Sequence, residues 1–256
     1  MKLSDLLDAL AYDIAFWMTA YQNPDYPLDQ LGDVTENVTE KLRAAAIIVL
    51  LGQGDSDAYY HNLMRSARCR LAYLQRCRAA AREREHHQAS SRLGGYLDAV
   101  AAADFFTARQ IVAVSPKDWF EGHEYEDDYC FAQIAHGLIA AQPDNERLAA
   151  LFERFEKVLG DRKDARLAVT KGIFDRNGAE FAVAVEALVA QRTQEIESDM
   201  ARRRIEEPVM MALRQIYVDG LALLRIAERL KLPSQSDYLY MPSLARVPMR
   251  RPFPGE

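Results

Sequence analysis

Cysteine is scarce in this sequence: Cys69, Cys77 and Cys130 are the only three in 256 residues. An odd number cannot pair off completely and no two form a CxxC, so neither a disulfide framework nor a thiolate zinc site is indicated. A reducing cytosol is the simplest compartment. Cys69 and Cys77 stand on one expected helix, about 12 Å apart along its axis, too far to share a disulfide or a metal. Long apolar runs are lacking too, since no window approaches the roughly 18 to 20 residues of a membrane span. The opening Met1-Lys-Leu-Ser-Asp-Leu-Leu-Asp8 carries acids where a signal peptide has its apolar stretch, and a cytoplasmic protein is expected. No alternation of β-branched residues argues for a strand. There is no glycine-rich phosphate loop, no GxSxG elbow, no HExxH and no DxDxDG loop, so enzymatic activity is not expected. A formal charge of −6 argues mildly against a nucleic-acid binder.

What is present is an ordinary globular composition, 49% apolar and 27% charged, with enough length for one domain or two closely packed ones. Helical periodicity dominates. Ser4 suits an N-cap for a helix running to about Tyr21, where Asn23-Pro24 and Pro27 stop it. A second helix is expected from about Val34 to Leu51, closed by Gly52 and Gly54. Ser56 then caps a long helix to about Arg84, spanning roughly 40 Å. The polar stretch His86–Ser91 is the best candidate boundary. Beyond it come shorter helices in hairpins: Leu93–Ala102 with Asp104–Val114, Tyr125–Ala141 with Asn145–Leu159, and Asp164–Phe174 with Ala179–Gln191. A last helix is expected from Pro208, well placed at a first turn, to Leu232, with Gly220 admitting a close neighbour. Five prolines from Pro233 onward indicate an extended tail laid over the surface.

The expected fold is therefore all-α: a long-helix region over 1–85, helical hairpins in a repeat-like array over 90–232, and a tail over 233–256. The repeat is weak. Leu97, Phe105, Ala108, Ile111 and Val112 match Ile173, Phe181, Ala184, Ala187 and Leu188 at an offset of 76, which makes Phe105 and Phe181 expected core aromatics.

The histidines and arginines suggest little chemistry. His86-His87 reads as solvated linker, His136 as a hydrogen-bonded core histidine among Ile134, Ala135 and Leu138, and His123 as a turn residue held by carboxylates. On the long helix Arg65, Arg68 and Arg76 share a face opposite Leu63, Ala67, Leu71 and Leu74, while Arg70, Arg78, Arg82 and Arg84 scatter round the wheel. A nucleic-acid groove would gather them into one stripe interleaved with aromatics, so a solvated helix is the better reading. Arg202-Arg203-Arg204 is answered by Glu206-Glu207 and reads as helix surface. No metal, cofactor or nucleic acid is expected.

One segment stands out. Between Asp118 and Tyr129, six of twelve residues are carboxylates: Asp118, Glu121, Glu124, Glu126, Asp127 and Asp128. Only Lys117 and His123 offset them locally. Such a density of like charge repels itself and must face water, a metal or a basic partner. Trp119, Phe120, Tyr125 and Tyr129 distinguish it from a disordered acidic tail, because those rings favour burial. It reads as an ordered acidic surface, either a structural loop that caps the next helix or a surface for a basic protein partner. In the binding reading Glu121, Glu124 and Glu126 are the expected contacts. Asp127 and Asp128 are expected in the first turn of their helix, and Trp119 beneath or beside the contact.

The order of several motifs resembles the immunity protein 49 family of bacterial polymorphic-toxin systems. These are Gly95-Tyr-Leu-Asp-Ala-Val-Ala-Ala-Ala-Asp104, Ser115-Pro116 with Trp119, Glu124-Tyr-Glu-Asp-Asp128, Asp219-Gly-Leu-Ala-Leu-Leu-Arg-Ile-Ala-Glu-Arg229 and Tyr240-Met-Pro-Ser-Leu-Ala-Arg246. The resemblance covers roughly residues 60–256. It implies an all-helical, non-enzymatic cytosolic protein that binds and neutralises a cognate toxin, and it carries no map of toxin-binding residues. A toxin acting on nucleic acid would offer a basic cleft to the acidic segment, but a toxin of nucleotides or of proteins is equally open. The alternative from another class is a helical-repeat adaptor of bacterial regulation.

Overall fold

The structure, a computed structural model, describes residues 3–81, 85–202 and 207–254, apart from the side chain of Ser4. The cap expected of Ser4, the arginines Arg82 and Arg84, and the charged run from Arg203 to Glu206 lie outside the described residues. Among those described the chain is all-α, with no strand beyond an isolated bridge between Tyr238 and Met241. No described helix is long and apolar enough to cross a membrane.

Helix α1 (Leu3–Gln22) ends before the two prolines, and α2 (Leu28–Gln53) starts directly behind Pro27, earlier than its apolar periodicity suggested. Leu31, Val34, Val38 and Leu42 carry the buried stripe of α2, and Gly54 closes the helix in the left-handed conformation. The cap of α3 (Ser56–Ala79) is Asp55, not Ser56: its carboxylate accepts the Ala58 N–H at 2.9 Å. The helix stops at Ala79, short of Arg84. Aspartates cap three later helices in the same way: Asp104 for α5 (Phe105–Val114), Asp144 for α7 (Asn145–Leu159) and Asp164 for α8 (Ala165–Phe174). Between them stand α4 (Gly94–Ala101) and α6 (Glu126–Leu138), and α9 runs from Gly178 to Arg202.

The stretch expected as a solvated boundary is buried at His87, Ala89 and Ser90, while His86 stays exposed. His87 is 3% exposed, with its ring nitrogens 3.2 Å from Asp33 and 3.0 Å from Glu36 and its ring against His86. Its carbonyl and that of Ala89 both accept from Arg70. Polarity misled here because a polar turn buried against ionic and hydrogen-bonding partners looks in sequence like a wet one. One hydrophobic cluster takes in residues on both sides of this turn, from Ala20 to Ala245, with Tyr59, Tyr60, Tyr73, Tyr96, Phe155 and Phe181 its largest fully buried side chains.

The last expected helix is two: α10 (Pro208–Leu213) and α11 (Val218–Arg229). The Tyr217 N–H donates at 2.8 Å to the Tyr240 carbonyl, so the helical ladder is broken by the C-terminal segment. Gly220 does admit a close neighbour, as a methyl group there would collide with Met241 and Tyr217. After Leu232 the chain returns over α3. The Tyr60 hydroxyl sits between the Ala245 and Val247 carbonyls, at 3.0 and 2.6 Å, the Arg250 N–H donates to Asp57, and Arg68 covers the Phe253 ring at 4.0 Å. The correspondence at an offset of 76 does not extend to burial: Phe181 is buried and Phe105 only partly, Ile111 is buried and Ala187 exposed.

Candidate functional site

The acidic segment forms the connection between α5 and α6 and the first turn of α6. Its base is well anchored. Ser115 donates to the Ile111 carbonyl, Tyr129 to the Lys117 carbonyl at 2.8 Å, and Gln133 to the Pro116 carbonyl at 3.1 Å. Trp119 is half-buried against the core and donates through Nε1 to the Glu124 carbonyl at 3.2 Å. The Arg154 guanidinium lies 5.4 Å from the Trp119 ring and 5.1 Å from the Tyr129 ring, a cation over two aromatic faces.

The carboxylates divide into two sets. Glu124 turns inward: one oxygen accepts the Phe120 N–H at 2.9 Å, the other the Ser91 N–H at 3.0 Å and the Ser90 hydroxyl at 3.4 Å. It ties the loop to itself and to the turn before α4. Glu126, Asp127 and Asp128 occupy the first turn of α6, where they favour the helix dipole, and each meets an arginine from far along the chain. Arg154 pairs with Glu126 at 2.7 Å, Arg162 with Asp127 at 3.2 Å, and Arg166 with Asp128 at 2.8 Å. Sequence reasoning missed these cations because it weighed only local offsets. The signal available was that α7 and α8 follow α6 as packed hairpin helices whose arginines fall toward its start.

Glu121 is exposed and makes neither an ion pair nor a side-chain hydrogen bond among the described residues, and Asp118 is exposed beside it. Tyr125 is the most exposed of the large apolar side chains, at 79%. His123 is not held by carboxylates as expected; its ring stacks on Phe120 at 4.0 Å between centroids. Of the residues singled out in sequence, the structure thus leaves Glu121 outward, places Trp119 beneath, and engages Glu124, Glu126, Asp127 and Asp128 within the chain. Tyr125 is the exposed residue that the charge-based reading passed over. Among the described residues no three His, Cys, Asp or Glu side chains are grouped to hold a metal.

Ser91, Arg92 and Asp128 border the loop's own depression of about 570 Å³ and also an adjoining cavity of about 560 Å³. Arg43, Arg70, Arg92, Arg166, Arg192 and Tyr217 are on the walls of that cavity. Arg43 bridges Asp98 at 2.7 Å and Asp219 at 2.9 Å. Burial pushes the Asp98 carboxyl up to about 6, although Arg43 and the Ser66 hydroxyl both favour its charged form. Arg70 contradicts the expectation of solvated arginines on α3. It is 4% exposed, its stem packs where Gly95 leaves no Cβ in the way, and burial pulls its guanidinium down to about 10.

Comparison of the chain with family models, with curated proteins and with solved structures finds no match.

Proposed function

We propose that the protein is an immunity protein that binds a cognate bacterial toxin and blocks it, with the outer edge of the Asp118–Tyr125 loop as its contact surface. The observation that carries this reading is the loop's combination of rigidity and exposure. Glu124 accepts from two main-chain N–H groups and Trp119 closes on the Glu124 carbonyl, while Glu121 and Tyr125 stay in solvent. A loop already ordered loses little conformational freedom on binding, so more of the contact energy appears as affinity. Exposed tyrosines are among the side chains that dominate binding energy when covered. The resemblance to the immunity protein 49 family supplies the class of partner.

The free charge is smaller than the sequence count suggested, because Glu124, Glu126, Asp127 and Asp128 have partners within the chain. The surface therefore reads better as an aromatic anchor flanked by acid than as a mimic of nucleic-acid phosphate. Glu121 would set association rate and orientation, and Tyr125 residence time.

Genetics tests the class. Deleting this gene from cells that keep the neighbouring toxin gene is expected to be lethal, and lethality is expected to vanish when the toxin gene is removed as well. Healthy growth of the single deletion under toxin expression contradicts the proposal.

A further inference from the structure

The cavity adjoining the loop is not used by the toxin-binding reading, and its five arginines are unevenly answered by the carboxylates around them. Arg43 is answered by Asp98 and Asp219, and Arg166 by Asp164 and Asp128, so these two serve as walls. Three guanidiniums remain. Arg70 is buried yet makes no ion pair among the described residues; its hydrogen bonds go to the His87 and Ala89 carbonyls. Arg92 is 44% exposed at the mouth and reaches Glu36 at 3.4 Å, a carboxylate it shares with His87. Arg192, from α9, meets Glu195 at 3.5 Å and the Leu213 carbonyl at 3.4 Å, and its buried Nε has no acceptor.

Other buried polar atoms of the same walls lack an aligned hydrogen bond but not a partner. Glu36 Oε1 faces His87 Nδ1 at 3.0 Å and Asp219 Oδ1 faces Arg43 at 2.9 Å. Glu36, Asp128, Glu195 and Asp219 also line the cavity, so the deficit is local: among the described residues Arg70 has no paired carboxylate and Arg192 Nε no acceptor. A buried cation with no counter-charge and a buried N–H with no acceptor each cost free energy that a bound anion would recover. Guanidiniums present their donors in a planar fork suited to phosphate oxygens. The volume, about 560 Å³, lies within the usual range for a small-molecule site.

We infer that this cavity binds a small organic phosphate, its phosphate group taken by Arg70 and Arg92 and its remaining polar atoms by Arg192 and Tyr217. Arg70 and Arg92 stand on the same wall, linked through His87, whose carbonyl accepts from Arg70 and whose ring shares Glu36 with Arg92. The Arg192 guanidinium lies over the Tyr217 ring at 5.2 Å from its centroid, so the two side chains stand together in the cavity lining. The site is independent of the toxin.

Calorimetric titration of the full chain with inorganic phosphate, pyrophosphate and adenosine monophosphate, at constant ionic strength, tests this. At least one of the three is expected to bind at a single site with Kd below about 1 mM. Arg92→Gln and Arg192→Gln are each expected to weaken that binding about tenfold or more, with circular dichroism and Tm unchanged in the absence of ligand. Neither residue holds the turn that Arg70 holds, so both variants should fold. Tightest binding of adenosine monophosphate identifies a nucleotide-like occupant, and equal binding of inorganic phosphate a simpler ester. Absence of saturable heat from all three, or affinity unchanged in both variants, overturns the inference and leaves the toxin-binding reading standing.

Discussion

His136 is neutral where it sits. It is 3% exposed, its Nδ1 has no hydrogen-bond partner, Tyr96 meets it edge-on, and burial together with Lys117, Arg70 and Arg147 pulls its pKa down to about 3. In the unfolded chain the same ring titrates near 6.5. Because the folded value is the depressed one, the stability this group contributes is complete above about pH 6.5 and is lost as pH falls toward 3. Between about pH 7.5 and 5 the loss should be about 2 kcal/mol, and His136→Leu should remove that part of the pH dependence. Urea unfolding of both proteins at the two pH values measures it; equal pH slopes would mean the ring is solvated or hydrogen-bonded in its charged form. Glu124 makes a second residue-scale case. Its sequence neighbours suggested an outward charge, yet it joins Phe120 and Ser91 through their N–H groups. Glu124→Ala should cost about 2 to 3 kcal/mol, as hydrogen bonds to a charged acceptor are lost and two part-buried N–H groups are stranded. Denaturant midpoints check this, with Trp119 fluorescence as the local report. A change within about 0.5 kcal/mol would mark the loop as free-standing.

Most helices were legible from apolar spacing and turn residues. Asn145–Leu159 is bounded as expected, because Asp144 caps it and Leu148, Leu151, Phe152, Phe155 and Leu159 form one stripe. The exceptions have particular causes. Helix α9 runs to Arg202, well past Gln191, although beyond Ala190 only Ile196 is buried; side-chain pairs such as Gln191 with Glu195 and Arg214 with Asp199 carry the polar extension. The break between α10 and α11 was not legible, since the competing acceptor for the Tyr217 N–H is a carbonyl more than twenty residues on. Phe181 tests the packing of the α8–α9 pair. It is fully buried with its backbone pressed on Gly172, so Phe181→Ala should destabilise by about 3 to 5 kcal/mol in equilibrium unfolding. A cost near zero would mean that α9 presents another face to the core.

At the scale of the whole molecule, helix arrangement brings together what sequence distance hides. The buried Arg70 and the arginines that answer the α6 acids are invisible to local reading, because burial and pairing are decided by which helices meet. The acidic loop itself was legible as an ordered feature: its rings and carboxylates conflict unless something anchors them, and Trp119 and Tyr129 do. Its outward face was not legible, since charge density pointed to Glu124 and Glu126, whereas Glu121 and Tyr125 are the residues it exposes. The direct measurement is the binding kinetics of the purified protein with the cognate toxin proposed for it, for wild type and for the variant carrying Glu121→Lys and Tyr125→Ala, at low and high salt. Both positions are exposed, so the variant should melt within about 0.5 kcal/mol of wild type. Its association should be slower than wild type by a margin that grows as salt is lowered, and its dissociation faster at both salt concentrations. A folded variant that binds the toxin as wild type does would contradict the account and move the toxin's contact away from this loop.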